Sequence, residues 1–183
     1  MDIQTLYQDA IKFAASRHSE IDQKVTGTNL PYIVHLCNVA MEIMIASDHS
    51  KDFNLGLAIQ VALLHDTVED TKTTKDELLI IFGNSVAEGV LALTKDESLP
   101  KDVQMLDCFN KIKKQNKEIW AVKLADRITN LQPPPSSWDY HKKMKYQEES
   151  RVIWNELKYG NEYLAKRLLM KIDEYSSYCR AGA

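Results

Sequence analysis

One short stretch concentrates the groups that could do chemistry: His65-Asp66-Thr67-Val68-Glu69-Asp70, directly after the apolar run Val61-Ala62-Leu63-Leu64. If the run is helical, His65 and Glu69 stand at i and i+4, and so do Asp66 and Asp70, each pair on one face one turn apart. One turn would then carry an imidazole and three carboxylates. Such groups repel and desolvate one another unless a cation or strong hydrogen bonds compensate, and the simplest such cation is a divalent metal. Further donors lie on either side. Upstream, Pro31-Tyr32-Ile33-Val34-His35 brings a histidine into an apolar helix; downstream, Lys123-Leu124-Ala125-Asp126-Arg127 sets an aspartate inside another. His35, His65, Asp66 and Asp126 make a two-imidazole, two-carboxylate set. Mixed N/O ligands of this kind suit Mn, Fe, Zn or Co and leave positions open for water and substrate. Glu69 and Asp70 remain free to handle protons.

The elements that must position these groups are helices. Glycine is scarce, alternating strand-like patterns are rare, and helical periodicity dominates. It predicts helices at about 3–18, 32–47, 54–69, 75–82, 84–94, 102–116, 118–131, 138–159 and 161–179. Thr74-Lys75-Asp76-Glu77 reads as a capping box and Gly83 as a C-terminal stop. Asn29-Leu30-Pro31 marks a helix start, and Pro133-Pro134-Pro135 is a rigid connection between two helices. The expectation is an all-α, single-domain protein over 1–183, with a metal-site core at about 6–131 and C-terminal helices at about 138–179.

Composition narrows the classes. At 44% hydrophobic and 27% charged residues the chain fits an ordinary globule with a sizeable core. A net charge of −3 provides no global attraction to nucleic acid. Three cysteines far apart, Cys37, Cys108 and Cys179, suit a reducing compartment better than a disulfide framework. No secretory signal is evident, and no apolar run reaches the roughly 18 residues of a membrane span. A cytoplasmic location is expected, with oligomeric state left open.

The order of these motifs resembles the HD-domain phosphohydrolases. More closely, it is similar to the hydrolase domain of the RelA/SpoT homologues in its stand-alone form, the small alarmone hydrolases, a group that includes the metazoan SpoT homologue. The likeness is carried by Ala14-Ala15-Ser16-Arg17-His18, by Pro31 to His35, by Ala62 to Thr71, by Phe82-Gly83-Asn84-Ser85-Val86, by Leu93-Thr94-Lys95-Asp96 and by Val122 to Leu131. It implies an all-α fold and one Mn(II)-type ion on His35, His65, Asp66 and Asp126. It also implies removal of the 3′-pyrophosphate from (p)ppGpp to give GDP or GTP plus pyrophosphate. Glu69 and Asp70 would orient and activate the attacking water. His18 would be structural, and His49 and His141 surface residues.

The positions that would read the substrate depart from the family pattern. Members carry an Arg-Lys pair after the glutamine that follows the first-helix histidine; here the stretch is Asp22-Gln23-Lys24-Val25-Thr26, with Lys24 its one basic residue. An arginine is also missing after Leu99-Pro100-Lys101, and Gln132-Pro133-Pro134-Pro135 is distinctive. Lys24, Lys101, Asn130, Lys142 and Tyr146 are the candidate substrate-binding residues. Asn130 is i+4 from Asp126, and Lys142 and Tyr146 are i and i+4 on the next helix, within reach of the outer phosphates. Lys123 and Arg127 lie three and one residues from Asp126, so the three are not expected to share a face. Two alternatives accompany the alarmone reading. One is the same chemistry on (p)ppApp, NADPH or a pyrophosphorylated RNA 3′ end, as an antitoxin would need. The other is a non-catalytic alarmone sensor.

Overall fold

The structure, a computed structural model, describes residues 2–179. Ten α-helices follow one another among these residues, with no strand: α1 Ile3–Glu20, α2 Ile33–Asp48, α3 Leu55–Leu64, α4 Thr67–Asp70, α5 Lys75–Phe82, α6 Asn84–Leu93, α7 Lys101–Ile112, α8 Lys117–Asn130, α9 Tyr140–Leu157 and α10 Glu162–Tyr175. A 3-10 turn at Ser176–Cys179 replaces the expected last turn of helix. The all-α expectation therefore holds, and no described helix is long and apolar enough to cross a membrane.

α3 is the central post. Leu57, Ala58, Ile59, Val61, Ala62, Leu63 and Leu64 are all buried, so it is apolar around nearly its whole circumference. A helix of that kind must be enclosed, and α1, α2, α6 and α8 pack around it. α6 comes especially close because of Gly89: a Cβ there would stand 2.7 Å from Ile119 Cδ1 and 3.0 Å from Val61 Cγ2. One hydrophobic cluster runs from Ala10 on α1 to Tyr175 on α10. A bidentate ion pair ties α2 to α10, with Arg167 Nε and Nη2 donating to Glu42 at 2.6 and 2.7 Å.

Local signals set the helix starts. Asp2, Asn54, Asp139 and Asn161 cap α1, α3, α9 and α10 through their side chains. Thr74 and Glu77 form the expected reciprocal capping box on α5.

The expected continuous helix over 54–69 is broken. α3 stops at Leu64, and Asp66, at φ −98° and ψ −2°, starts the separate turn α4. Two side chains explain the break. His65 Nδ1 lies 2.8 Å from the Ala62 carbonyl, and Thr67 Oγ1 donates to the Leu64 carbonyl at 2.7 Å. Both compete for acceptors that a continuing helix would use. The kink holds His65 at the end of the central post and sends Glu69 and Asp70 toward different neighbours.

Candidate metal centre and its cavity

His65 sits at the C-terminal end of α3 and is 3% exposed. Its Nδ1 faces a carbonyl, which can only accept, so that nitrogen carries the proton and Nε2 offers a lone pair. His35 on α2 is arranged in the same sense. The Thr129 hydroxyl donates to the Asp126 carbonyl at 2.9 Å, leaving its oxygen to accept from His35 Nδ1 at 3.4 Å. Both Nε2 atoms are buried and have no hydrogen-bond partner among the described residues. They face carboxylates instead. Asp126 Oδ1 is 3.4 Å from His35 Nε2 and 3.7 Å from His65 Nε2; Asp66 Oδ2 is 3.8 and 3.0 Å from the same two atoms. Donor atoms of His35, His65 and Asp126 all lie within 4.8 Å of one another. Lone pairs facing carboxylate oxygens in a dry space repel unless a positive charge stands between them. The donor set therefore fits a divalent cation.

The same demand for positive charge shapes the acid–base behaviour. Burial alone would lower the His65 pKa, but Asp66 and then Asp126 carry it well above the ordinary imidazole range. Burial alone would raise Asp66, and the adjoining His65 holds it down instead. Asp126 is kept far below the usual carboxylate range against its own burial, first by Lys123 and then by the imidazoles. Lys123 Nζ donates to Asp126 Oδ2 at 3.0 Å and Asn130 Nδ2 to Oδ1 at 2.6 Å, fixing the carboxylate plane. The Tyr32 hydroxyl donates a short hydrogen bond to Asp66 Oδ2. Burial and the Asp66 charge raise the Tyr32 phenol far above its ordinary value, so it stays a donor.

Beside this group a cavity of about 300 Å3 contains Asp66, Glu69, Asp70, Lys95, Lys123, Asp126 and Arg127 in its wall. The two proposed proton handlers are held differently. Glu69 is clasped by Lys95. Asp70 accepts one hydrogen bond, 2.8 Å from Gln23 Nε2. Gln23 Oε1 lies 2.5 Å from His18 Nδ1. His18 is buried, and burial lowers its pKa, so the neutral ring supports Gln23 as a donor. Desolvation raises the Asp70 pKa; Gln23 opposes this, while Asp66 and Glu69 add to it.

A second cavity of about 490 Å3 shares Tyr32, Asn130 and Tyr146 with the first and also touches His35. Its far wall is Gln132, Pro133, Pro134, Pro135 and Trp138. The 25–30 loop closes it where Gly27, at φ +77°, approaches Pro135; a Cβ there would be 2.9 Å from Pro135 Cγ.

The structure thus brings His35, His65, Asp66, Asp126, Glu69, Asp70, Asn130 and Tyr146 to one place. Lys24, Lys101 and Lys142 are not in either cavity wall. Lys24 pairs with Asp22 at 2.5 Å, Lys101 is exposed at the start of α7, and Lys142 lies over the Trp138 ring at 4.5 Å. The expectation that Lys123, Asp126 and Arg127 do not share a face is corrected, since all three line one cavity. Lys123 bends back onto Asp126, and the long Arg127 side chain lies over Tyr146. Tyr32, Gln23 and Lys95 are site residues that spacing did not single out. Their partners are 34, 47 and 26 residues away in sequence. His49 and His141 are exposed, as expected.

Comparison with known proteins gives the family of the chain. The family model described as "HD domain" matches residues 10–161. The mouse (Mus musculus) guanosine-3′,5′-bis(diphosphate) 3′-pyrophosphohydrolase MESH1 is 33% identical over 171 residues, 91% of this chain and 92% of that protein. The zebrafish (Danio rerio) protein of the same name is 33% identical over 165 residues, 87% of this chain and 88% of its own length. Among solved structures, a metazoan SpoT orthologue described as hydrolysing ppGpp superposes with a TM-score of 0.79 at 24% identity, over 92% of this chain and 94% of that one. The chain belongs to the HD-domain family.

Proposed function

We propose that this protein is a divalent-metal-dependent nucleotide 3′-pyrophosphohydrolase that converts (p)ppGpp to GDP or GTP and pyrophosphate. The observation that carries this reading is the pair of buried, partnerless Nε2 atoms of His35 and His65 facing Asp66 and Asp126 beside two carboxylates, Glu69 and Asp70. The named activity of relatives similar over nine-tenths of the chain supports it. His35, His65, Asp66 and Asp126 would hold the ion, with Mn(II) our assignment from the N/O donor set. When bound, a divalent ion lowers the pKa of water and polarises a phosphoryl oxygen.

The residues then have separable tasks. The larger cavity takes the nucleoside, with Trp138 offering an aromatic face and Asn130 a polar contact at the junction. The 3′-diphosphate enters the smaller cavity. Asp70 takes a proton from the attacking water as its oxygen bonds to the phosphorus attached to O3′. The P–O3′ bond breaks, its electron pair stays on O3′, and that oxygen gains a proton. Lys95, Lys123 and Arg127 offset the charge on the diphosphate.

We further propose that the chain forms one domain, supported by the single core that joins α1 to α10. A cytoplasmic setting fits the three free cysteines. A broader substrate reading has one observation in its favour: the wall of the larger cavity carries the amides of Asn38 and Gln132, each of which can donate or accept and so suits the edge of guanine or of adenine. Rates on ppGpp, ppApp and NADPH, measured side by side with Mn(II), test both versions. A clear preference for ppGpp supports the first. Equal rates on ppApp move the substrate and keep the chemistry. Loss of turnover on all three with nucleotide still bound would leave a sensor.

A further inference from the structure

The two ends of a glutamine amide have nearly the same shape and opposite hydrogen-bonding sense, so Gln23 must be turned one way to serve Asp70. Its Nε2 donates to Asp70 Oδ2 at 2.8 Å, and its Oε1 faces His18 Nδ1 at 2.5 Å. This holds only while Nδ1 carries a proton. A bare Nδ1 would draw the amide N–H and turn the carbonyl onto the Asp70 carboxylate. Two features put the proton on Nδ1. The ring is buried, and burial lowers its pKa and keeps it neutral. Its Nε2 is also buried, with no hydrogen-bond partner among the described residues, so a proton on that side would be an orphaned donor. The backbone then holds Gln23 in place. Asp22 turns the chain at φ +49°, the Gln23 N–H donates to the His18 carbonyl at 3.1 Å, and the Gln23 carbonyl accepts from the Tyr32 N–H at 3.1 Å.

We propose that His18 is a positioning residue of the reaction: by holding the Gln23 carbonyl it presents the amide N–H to Asp70, and so keeps that carboxylate turned toward the attacking water. The inference rests on the hydrolase reading above and gives a histidine outside the metal set a task beyond packing. Asp70 is exposed, so without this donor solvent would compete for its oxygens and the carboxylate would be free to turn.

The tautomer is tested first, by 15N–1H NMR of the histidine-labelled full chain loaded with diamagnetic Zn(II). The His18 signals are identified by their loss in His18→Phe, and the Nδ1–H form is expected. An Nε2–H ring overturns the proposal. Steady-state kinetics on ppGpp with Mn(II) follow. His18→Phe keeps an aromatic ring against Tyr32, 4.8 Å away in the wild type, but loses the donor. Its kcat should fall about 5- to 10-fold, the worth of a neutral hydrogen bond, with KM and bound Mn(II) unchanged. His18→Asn loses the packing but keeps an N–H near the place of Nδ1. It should stay within about threefold of wild-type kcat while its thermal midpoint falls below that of His18→Phe. A purely structural histidine gives the reverse order of rates, and that order overturns the proposal. Gln23→Leu should match His18→Phe, and the double variant should lose no more than either single one; additive losses overturn the proposal. This cycle decides should His18→Asn fail to fold. A wild type with Nδ1–H His18 and no ppGpp turnover would sink the hydrolase reading alone. Turnover with an Nε2–H His18 would sink this inference alone.

Discussion

Lys95 holds Glu69 at both oxygens: its Nζ lies 2.7 Å from Oε1 and its backbone N–H donates to Oε2 at 3.1 Å. Both Glu69 oxygens are thus taken, whereas the Asp70 side chain accepts a single hydrogen bond from a neutral donor and keeps an oxygen open to the cavity. Glu69 therefore anchors the turn after α6 to α4, and in the proposed reaction Asp70 takes the proton. Asp70→Asn should lower kcat by about 10^2- to 10^4-fold, the usual range for losing a general base. Glu69→Gln should lower it less. Steady-state kinetics on both variants check the ranking, and equal losses would contradict it.

The raised pKa of Asp70 has two consequences of opposite value to the protein. Catalysis needs the ionised form, so kcat should fall as pH drops through a pKa above the ordinary aspartate value. A carboxyl whose pKa is higher in the folded than in the unfolded state favours folding below that pKa and disfavours it above. Asp70→Asn should accordingly raise the thermal midpoint slightly at pH 7, a gain limited by solvent screening, while lowering turnover as above. Its advantage should disappear at low pH, where wild-type Asp70 is protonated. Thermal unfolding of both proteins across pH 4–8 measures this.

Tyr32 reaches the site through the Asp66 carboxylate, and hydrogen-bonding partners of metal ligands orient them. Tyr32→Phe removes the hydroxyl and leaves the ring against His18 and His35. Divalent-metal affinity should drop by about 10- to 100-fold, with the helical spectrum unchanged. A metal titration followed by calorimetry reads the shift directly.

Trp138 lies in the wall of the larger cavity, with Lys142 over its ring. Base stacking on such a ring is worth about 1–3 kcal/mol. Trp138→Ala should therefore raise KM about 10-fold or more for a nucleotide substrate while changing kcat little. An unchanged KM would remove the nucleoside from this cavity.

Much of the centre was legible because its donors lie in short motifs. His65-Asp66, with His35 and Asp126 in apolar helices, point from the sequence alone to a divalent-cation site, and Thr74 with Glu77 marks the start of α5. Three things were not legible. The break at His65-Asp66 depends on side chains competing for carbonyls within one turn, which periodicity does not register. Tyr32, Gln23 and Lys95 act through partners distant in sequence, and only packing brings them together. Lys24, Lys101 and Lys142 illustrate the converse: suitable charge and spacing, but nearer partners or solvent claim each of them.

The central claim is that His35, His65, Asp66 and Asp126 hold an ion that serves hydrolysis at the 3′ position. The measurement that addresses it most directly is pyrophosphate release from ppGpp by one preparation each of wild type, His65→Ala and Asp70→Asn, with bound Mn(II) quantified in the same samples. The account predicts about one ion per chain and rapid release for wild type. It predicts neither ion nor release for His65→Ala, and a bound ion with release slowed at least about 100-fold for Asp70→Asn. Full activity in metal-free wild type, or in His65→Ala, would contradict it.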